Sequence, residues 1–143
     1  DVLLSSEEDV VRSLDVVLYF PEASSQQLLA RQKTLTLYEG ESAMGVLMEA
    51  LQAGPEEDGV LPLLPDGFHV LTVRLAEDGV CHLNLPAADL ELLPEGESAQ
   101  LRMFRGIVRS LCSLDEVTSV QVLVDGEMRT SFGAVDISQP LRP

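Results

Sequence analysis

One segment decides the fold: HVLTVRLAEDGVCHLNLP, residues His69–Pro86. Two runs that alternate apolar and polar residues flank the turn at 77–79, and this pattern predicts a β-hairpin. A two-residue loop would mix apolar and polar side chains on both faces, whereas a three-residue loop keeps them apart. We therefore expect the three-residue loop, with Gly79 in the left-handed conformation. The apolar face would then pair Leu75 with Cys81, Val73 with Leu83 and Leu71 with Leu85.

The opposite face of this hairpin is polar. It carries Thr72, Arg74, His82 and Asn84, with Arg74 across from His82, so we expect it to be solvated. Arg74 and His82 are candidate contacts for a partner, and sensing of a ligand by this face is one hypothesis for function. The register places His69 and His82 on opposite faces and roughly 16 Å apart. Two histidines at that separation cannot bind one zinc ion.

Two strands and a helix are predicted before the hairpin. The segments LDVVLYFP (14–21) and QKTLTLYE (32–39) have the composition or alternation of strands. Ser42 is a good N-cap for the helix AMGVLMEALQA (43–53), which Gly54 and Pro55 end. Its apolar stripe has the spacing of a core-facing helix. The stripe consists of Met44, Leu47, Met48 and Leu51.

A second helix, Ser98 to about Ser113, and a closing hairpin follow. The helix stripe consists of Leu101, Phe104, Ile107, Val108, Leu111 and Cys112. The segment SVQVLVDGEMRTSF (119–132) predicts a hairpin, but its signals conflict. Asp125-Gly126 favours a two-residue turn, whereas matching the apolar faces requires an odd loop or a bulge. We favour the matched faces, with Val120, Val122 and Val124 opposite Phe132, Thr130 and Met128.

This order of elements predicts an α+β fold: a mostly antiparallel sheet with two amphipathic helices packed on one face. The 143 residues suit one domain. We expect a lead-in or linker at 1–14, where SSEED is a helix start or a solvated segment, and a single domain at 15–143.

The net charge of the chain limits the classes of partner that it can bind. The formal net charge is −15 and no basic stripe offsets it, so we expect no binding to nucleic acid. No apolar run approaches the roughly 20 residues that cross a membrane. The chain begins with Asp1 rather than Met, and we expect any membrane attachment to come from an N-terminal anchor ahead of this residue.

No residue pattern identifies a catalytic, metal or cofactor site. Cys81 and Cys112 form no metal or redox motif, and both fall on apolar faces. We expect two buried reduced thiols, with a disulfide as the alternative. The many acids predict solvated loops. A small hydrolase acting on cell-wall polymer through an unidentified carboxylate pair remains an alternative.

The stretch QAGPEEDGVLPLLPDG (52–67) joins the first helix to the central hairpin. Its glycines and prolines serve turns, and we expect a solvent-facing connection. Glu56, Glu57 and Asp58 lie in its middle. They are candidate contacts for a basic partner.

Six motifs, in order, resemble the GerM-type (GerMN) sporulation and spore-germination domain over about residues 15–141. They are LYFP, ALQAGP, LLPDG, AEDGVCHLNL, IVRSLCSLDEV and VQVLVDG…G…DISQPL. The resemblance implies a non-catalytic extracytoplasmic module of a membrane-anchored protein, such as a lipoprotein. Such a module would assemble or position an envelope complex through contacts with protein or cell wall. It implies no cofactor and no catalytic residues.

The chain departs from the family pattern in two respects. Members often have an acidic residue followed by serine where this chain has Asn84 and, after Leu85, Pro86. Germination proteins of this type commonly contain two copies of the domain, and this chain contains one.

Overall fold

The computed structural model describes residues 10–143, and the SSEED segment lies outside this range. The first element is a long antiparallel hairpin of β1 (Val10–Pro21) and β2 (Leu28–Tyr38). Alternate residues of β1 are buried, as the two-residue period of a strand requires. They are Val16, Leu18 and Phe20. β1 begins upstream of Asp15, the predicted start of the domain, and the division of the chain there stays a prediction.

Helix α1 (Ala43–Ala53) follows the prediction closely. The Ser42 hydroxyl oxygen accepts a hydrogen bond from the Gly45 amide at 3.0 Å, which caps the first turn. The predicted stripe is the buried face, joined by Ala43. The helix contacts β1, β2, the strand Thr72–Leu75 and the second helix, so its stripe closes one side of the core.

Helix α2 (Glu97–Leu111) begins one residue before the predicted start. Its buried face includes Phe104, Ile107, Val108 and Leu111 as predicted. Leu101 was wrongly placed in this face, because it is 37% exposed while Met103 is 2% exposed. Leu101 lies about one third of a turn from the centre of the buried face, at roughly 100° per residue, and therefore beyond its margin.

The central sheet has three strands: β3 (Thr72–Leu75), β4 (Val80–Leu85) and β5 (Ser119–Val124). The predicted register of β3 and β4 is confirmed, with Leu75 opposite Cys81 and Arg74 opposite His82. The loop is Glu77–Gly79, with Gly79 at φ 79°. The predicted Leu71–Leu85 pair is not part of this ladder, because β3 starts at Thr72.

The prediction for the closing hairpin was wrong. β5 pairs in parallel with β4, placing Val120 beside Cys81 and Val124 beside Leu85. Asp125-Gly126 makes the two-residue turn that its sequence favours, closed by hydrogen bonds between Val124 and Glu127. The chain then leaves the sheet and forms the short pair β6 (Ser131–Phe132) and β7 (Val135–Asp136). The crossover through α2 makes the parallel pairing possible.

The connection between α1 and β3 is not simply solvent-facing, as the sequence suggested. Four of its apolar residues are buried: Val60, Leu63, Leu64 and Phe68. The Leu61 amide donates to the Pro21 carbonyl at 2.8 Å, which ties the connection to the end of β1. Burial of these side chains makes this part of the segment belong to the core, whereas the acidic middle and Leu61 are exposed.

These elements confirm the predicted α+β fold with mostly antiparallel pairing. Three of the strand pairs are antiparallel and one is parallel. One continuous core joins both helices to the strands and the C-terminal segment. Phe104 of α2 and Phe132 of β6 meet edge to face, with ring centroids 5.9 Å apart.

Candidate functional site

The middle of the connection carries three exposed acids, Glu56, Glu57 and Asp58, and the first two face basic residues of β2. The Glu57 carboxylate accepts a hydrogen bond from Arg31 Nε at 2.5 Å, and Glu56 lies 3.7 Å from Lys33 Nζ. These four side chains border a shallow depression of about 180 Å³. Glu56 and Glu57 are therefore already paired within the chain.

The Arg31–Glu57 pair shifts both groups towards their charged forms. The hydrogen bond from Arg31 lowers the pKa of Glu57, and the same contact raises the pKa of Arg31. A general acid for glycoside hydrolysis needs a raised carboxyl pKa. Glu57 is shifted in the opposite direction, so it is poorly suited to act as that general acid.

Asp58 differs from its two neighbours. Within residues 10–143 it forms neither an ion pair nor a side-chain hydrogen bond, and it is exposed. Its carboxylate can form an ion pair with a cation of a partner without first breaking an ion pair within the chain. Of the three predicted acidic contacts, Asp58 is the most available.

Arg74 and His82 lie on strands of the central sheet, whereas the acids lie in the connection beside β2, so the structure does not gather the predicted contacts into one site. Arg74 is exposed on the edge strand β3, whereas His82 is half-buried on β4. His82 Nδ1 is buried and has no hydrogen-bond partner among the residues that the structure describes. Ligand sensing by this face stays a prediction.

The face that was predicted to be solvated is exposed along β3 but buried along β5. Gln121, beside His82, is 4% exposed, and its amide donates to the carbonyls of Val122 and Ile137 at 3.0 and 2.8 Å. The C-terminal segment therefore covers this side of the face. Asn84 also has an internal role, because its side-chain oxygen accepts a hydrogen bond from the Gly126 amide at 2.7 Å.

Sequence reasoning missed a buried carboxylate beside the first histidine. Asp89 is 3% exposed and accepts hydrogen bonds from the His69 amide at 2.5 Å and from His69 Nδ1 at 3.1 Å. This pair holds the residues before β3 against the 3₁₀ segment Ala87–Leu92, which contains Asp89. Between Val10 and Pro143 there is no group of three or more histidine, cysteine or acidic residues that could hold a metal ion.

Two serines at the end of α2 were also missed. Ser110 Oγ accepts from the Tyr19 amide at 3.0 Å, and Ser113 Oγ accepts from the Val17 amide at 3.1 Å. The two hydroxyls accept hydrogen bonds from backbone amides on the edge of β1 that does not pair with β2. Ser110 and Ser113 are three residues apart, a spacing that places two side chains on the same side of a helical turn. This spacing was the feature of the sequence that could have revealed their shared role.

Both cysteines are free thiols. Burial, and then the nearby Cys112, raise the pKa of Cys81 to about 12, and burial raises the pKa of Cys112. Such thiols are poor nucleophiles at neutral pH, because the thiolate is the reactive form. Neither residue is suited to catalysis.

Comparison with protein families gives one match. The model for the Germane family, described as sporulation and spore germination, matches residues 17–130. The comparison with curated proteins gave no match. Neither helix of the described part is long and apolar enough to cross a bilayer.

Solved structures share the fold. The chain resembles a candidate lipoprotein from Clostridium perfringens with a TM-score of 0.61 at 24% identity, over 94% of this chain and 90% of that one. The first GerMN domain of the sporulation protein GerM from Bacillus subtilis gives 0.71 at 20% identity, over 90% and 97%. The tandem GerMN domains of the same protein give 0.70 at 20% identity, over 92% of this chain and 46% of that one. The chain thus spans about half of the tandem structure.

Proposed function

We propose a function from one premise: the chain belongs to the sporulation and spore germination family, whose model matches residues 17–130. The chain is a non-catalytic module that assembles or positions an envelope complex during sporulation or germination. It acts by contacting another protein or the cell wall. The family match is the observation that carries this proposal.

The chemistry of the described residues supports a binding role. Two exposed carboxylates of the connection, Glu57 and Glu56, are paired with Arg31 and Lys33, and the pKa of Glu57 is lowered. The two thiols have raised pKa values. A rigid core surrounded by exposed charged side chains suits recognition of a partner through complementary charge.

We further propose that the domain works outside the cytoplasm and is held at the membrane by an N-terminal anchor. The similarity in fold to a candidate lipoprotein supports this location. Protease added to intact protoplasts should digest a C-terminally tagged protein found in the membrane fraction. Full protection of the tag, with a cytoplasmic control also protected, would refute the location.

The proposed partner contacts fall on two surfaces. Glu56, Glu57 and Asp58 form one beside β2, and Arg74 with His82 form the other on the central hairpin. Asp58 and Arg74 are the exposed members without an internal ion pair among residues 10–143. Charge reversal at these two positions should weaken a contact without disturbing the core.

The test combines a deletion strain with charge-reversed variants. Deletion should lower the yield of heat-resistant spores or their germination, and the wild-type gene should restore it. Asp58→Lys and Arg74→Glu should each reduce recovery of a cross-linked partner by about tenfold, the effect of about 1.4 kcal/mol. Glu91→Lys and Arg142→Glu are matched controls, because both residues are exposed and carry the same charges.

The proposal fails if the deletion strain sporulates and germinates normally and no partner is recovered. A narrower result is also informative. Deletion would lower spore yield or germination while the charge-reversed variants recover as much partner as their controls. That result would support the proposed role in sporulation or germination and exclude the two proposed contact surfaces.

A further inference from the structure

Three arginines share the outer face of α2. Arg102, Arg105 and Arg109 are spaced i, i+3 and i+7, which places them on one side of a helix. Phe104 and Val108, between them in sequence, belong to the buried face. The whole chain has nine lysines and arginines against 24 acids. One third of its cations therefore lie along about two turns of one helix.

The three guanidinium groups have no internal partner in the region that the structure describes. Ion pairs there involve other cations, such as Arg31 with Glu57 and Arg129 with Glu127. Neighbouring like charges on a helix are mildly destabilising. This arrangement therefore costs some stability and leaves a row of hydrogen-bond donors open to a ligand.

A polar turn forms a wall beside the arginines. Ser25, Gln26 and Gln27, between β1 and β2, border with them a depression of about 330 Å³. The turn is held by its own hydrogen bonds: the Gln26 amide donates to the Glu22 carbonyl at 2.6 Å, and the Ser25 hydroxyl donates to the Glu22 carboxylate at 2.6 Å. The turn is therefore ordered before any ligand arrives, which reduces the entropy that this part of the surface loses on binding.

We propose that this surface, the arginine face, binds an acidic peptide segment of a partner protein. The inference rests on the proposed function and names the chemistry of the partner. Arginine suits the recognition of carboxylates, because its planar group can donate two parallel hydrogen bonds to one carboxylate. The side-chain amides of the turn add neutral donors and acceptors along one border.

The size of the face favours a short segment. Seven residues separate Arg102 from Arg109, which is about 10 Å along a helix. An extended peptide covers that length with about three residues. The rest of the surface is acidic, with a net charge of −15 for the chain. That charge opposes the approach of an anionic bilayer or a long phosphate polymer, whereas a short acidic segment touches only the basic face.

Binding of a fluorescent hexaglutamate peptide to the full chain tests the proposal. The variant Arg102→Gln/Arg105→Gln/Arg109→Gln removes the face. The control Arg12→Gln/Arg129→Gln/Arg142→Gln removes the same charge from exposed residues elsewhere, none of which is a proposed partner contact. Fluorescence anisotropy at 20 and about 150 mM salt should show at least about tenfold weaker binding for the first variant. The control should stay within about twofold of wild type. Circular dichroism should confirm that both variants fold.

Two results would overturn the proposal. Either wild-type protein does not bind hexaglutamate, including the case in which it binds phosphatidylglycerol vesicles instead, or both triple variants weaken binding equally. The strain experiment separates this inference from the proposed function. If the face variant restores sporulation as well as wild type in a strain that needs the gene, only the arginine face is excluded.

Discussion

Replacing Gly79 by alanine should destabilise the protein much more than replacing Gly126. Both glycines follow an aspartate in a tight turn, and their φ angles are 79° and 82°. A Cβ on Gly126 would meet no atom within 4 Å. A Cβ on Gly79 would lie 2.9 Å from Thr118 Oγ1 and 3.0 Å from the Glu116 carbonyl oxygen. The backbone carbonyl cannot move aside cheaply.

The magnitudes follow from two separate costs. An L-residue held at positive φ costs about 1 kcal/mol, and both variants have this cost. Gly79→Ala adds the crowding against the 116–118 segment, typically about 1–3 kcal/mol for an overpacked site. We expect losses in the free energy of unfolding of about 1 kcal/mol for Gly126→Ala and about 2–4 kcal/mol for Gly79→Ala. The difference between the variants isolates the packing of the hairpin loop.

Urea unfolding followed by far-ultraviolet circular dichroism measures both variants, since the chain has no tryptophan. Equal m-values would show that only stability has changed. Losses that agree within about 0.5 kcal/mol would refute the reasoning. That result would mean that the loop does not lie against Glu116 and Thr118 in solution.

Three further predictions concern single side chains. Ser110→Ala should lower the free energy of unfolding by about 1–2 kcal/mol in urea titrations, because the Tyr19 amide loses its acceptor. Cys81, with a pKa of about 12, should react with iodoacetamide at pH 8 about a thousandfold more slowly than an ordinary cysteine, as measured by mass spectrometry. Glu57→Gln should lower the Tm at pH 7, and the difference from wild type should disappear in acid. The pKa of Glu57 is lowered in the folded state, so the contribution of its pair with Arg31 is complete above the ordinary glutamate pKa and is lost as the pH falls through the folded value.

Each of these predictions has a control. Ser98→Ala alters an exposed serine of the same helix and should change stability by less than about 0.5 kcal/mol. A larger effect of Ser98→Ala than of Ser110→Ala would contradict the role of the buried hydroxyl. Cys81 should react at the ordinary rate in urea. Asp58→Asn should show no pH-dependent Tm difference like that of Glu57→Gln, because the Asp58 carboxylate forms no ion pair in residues 10–143.

The candidate contacts were only partly predictable. Exposure of Glu56, Glu57 and Asp58 followed from their place between turn residues. Their pairing with Arg31 and Lys33 did not, because a sequence shows charges but not which distant charge comes within 4 Å. For the same reason, the role of Asp89 could not be separated from that of the other acids.

Local patterns determined much of the fold. The alternation in 69–86 fixed the register of β3 and β4, and the spacing of apolar residues fixed the buried face of α1. These features depend on neighbours within a few residues, where side-chain periodicity decides which face is buried. The family resemblance likewise followed from the order of short motifs.

Only the tertiary structure decided the partner of β5. Its apolar residues fit either a hairpin with the following segment or a parallel pairing with β4, and local periodicity does not distinguish them. The parallel arrangement buries nearly every residue of β5, because α2 and the C-terminal segment cover it. In this arrangement Phe132 of β6 packs against Phe104 of α2. The turn was local and predictable, whereas the strand's partner depended on burial summed over the whole core.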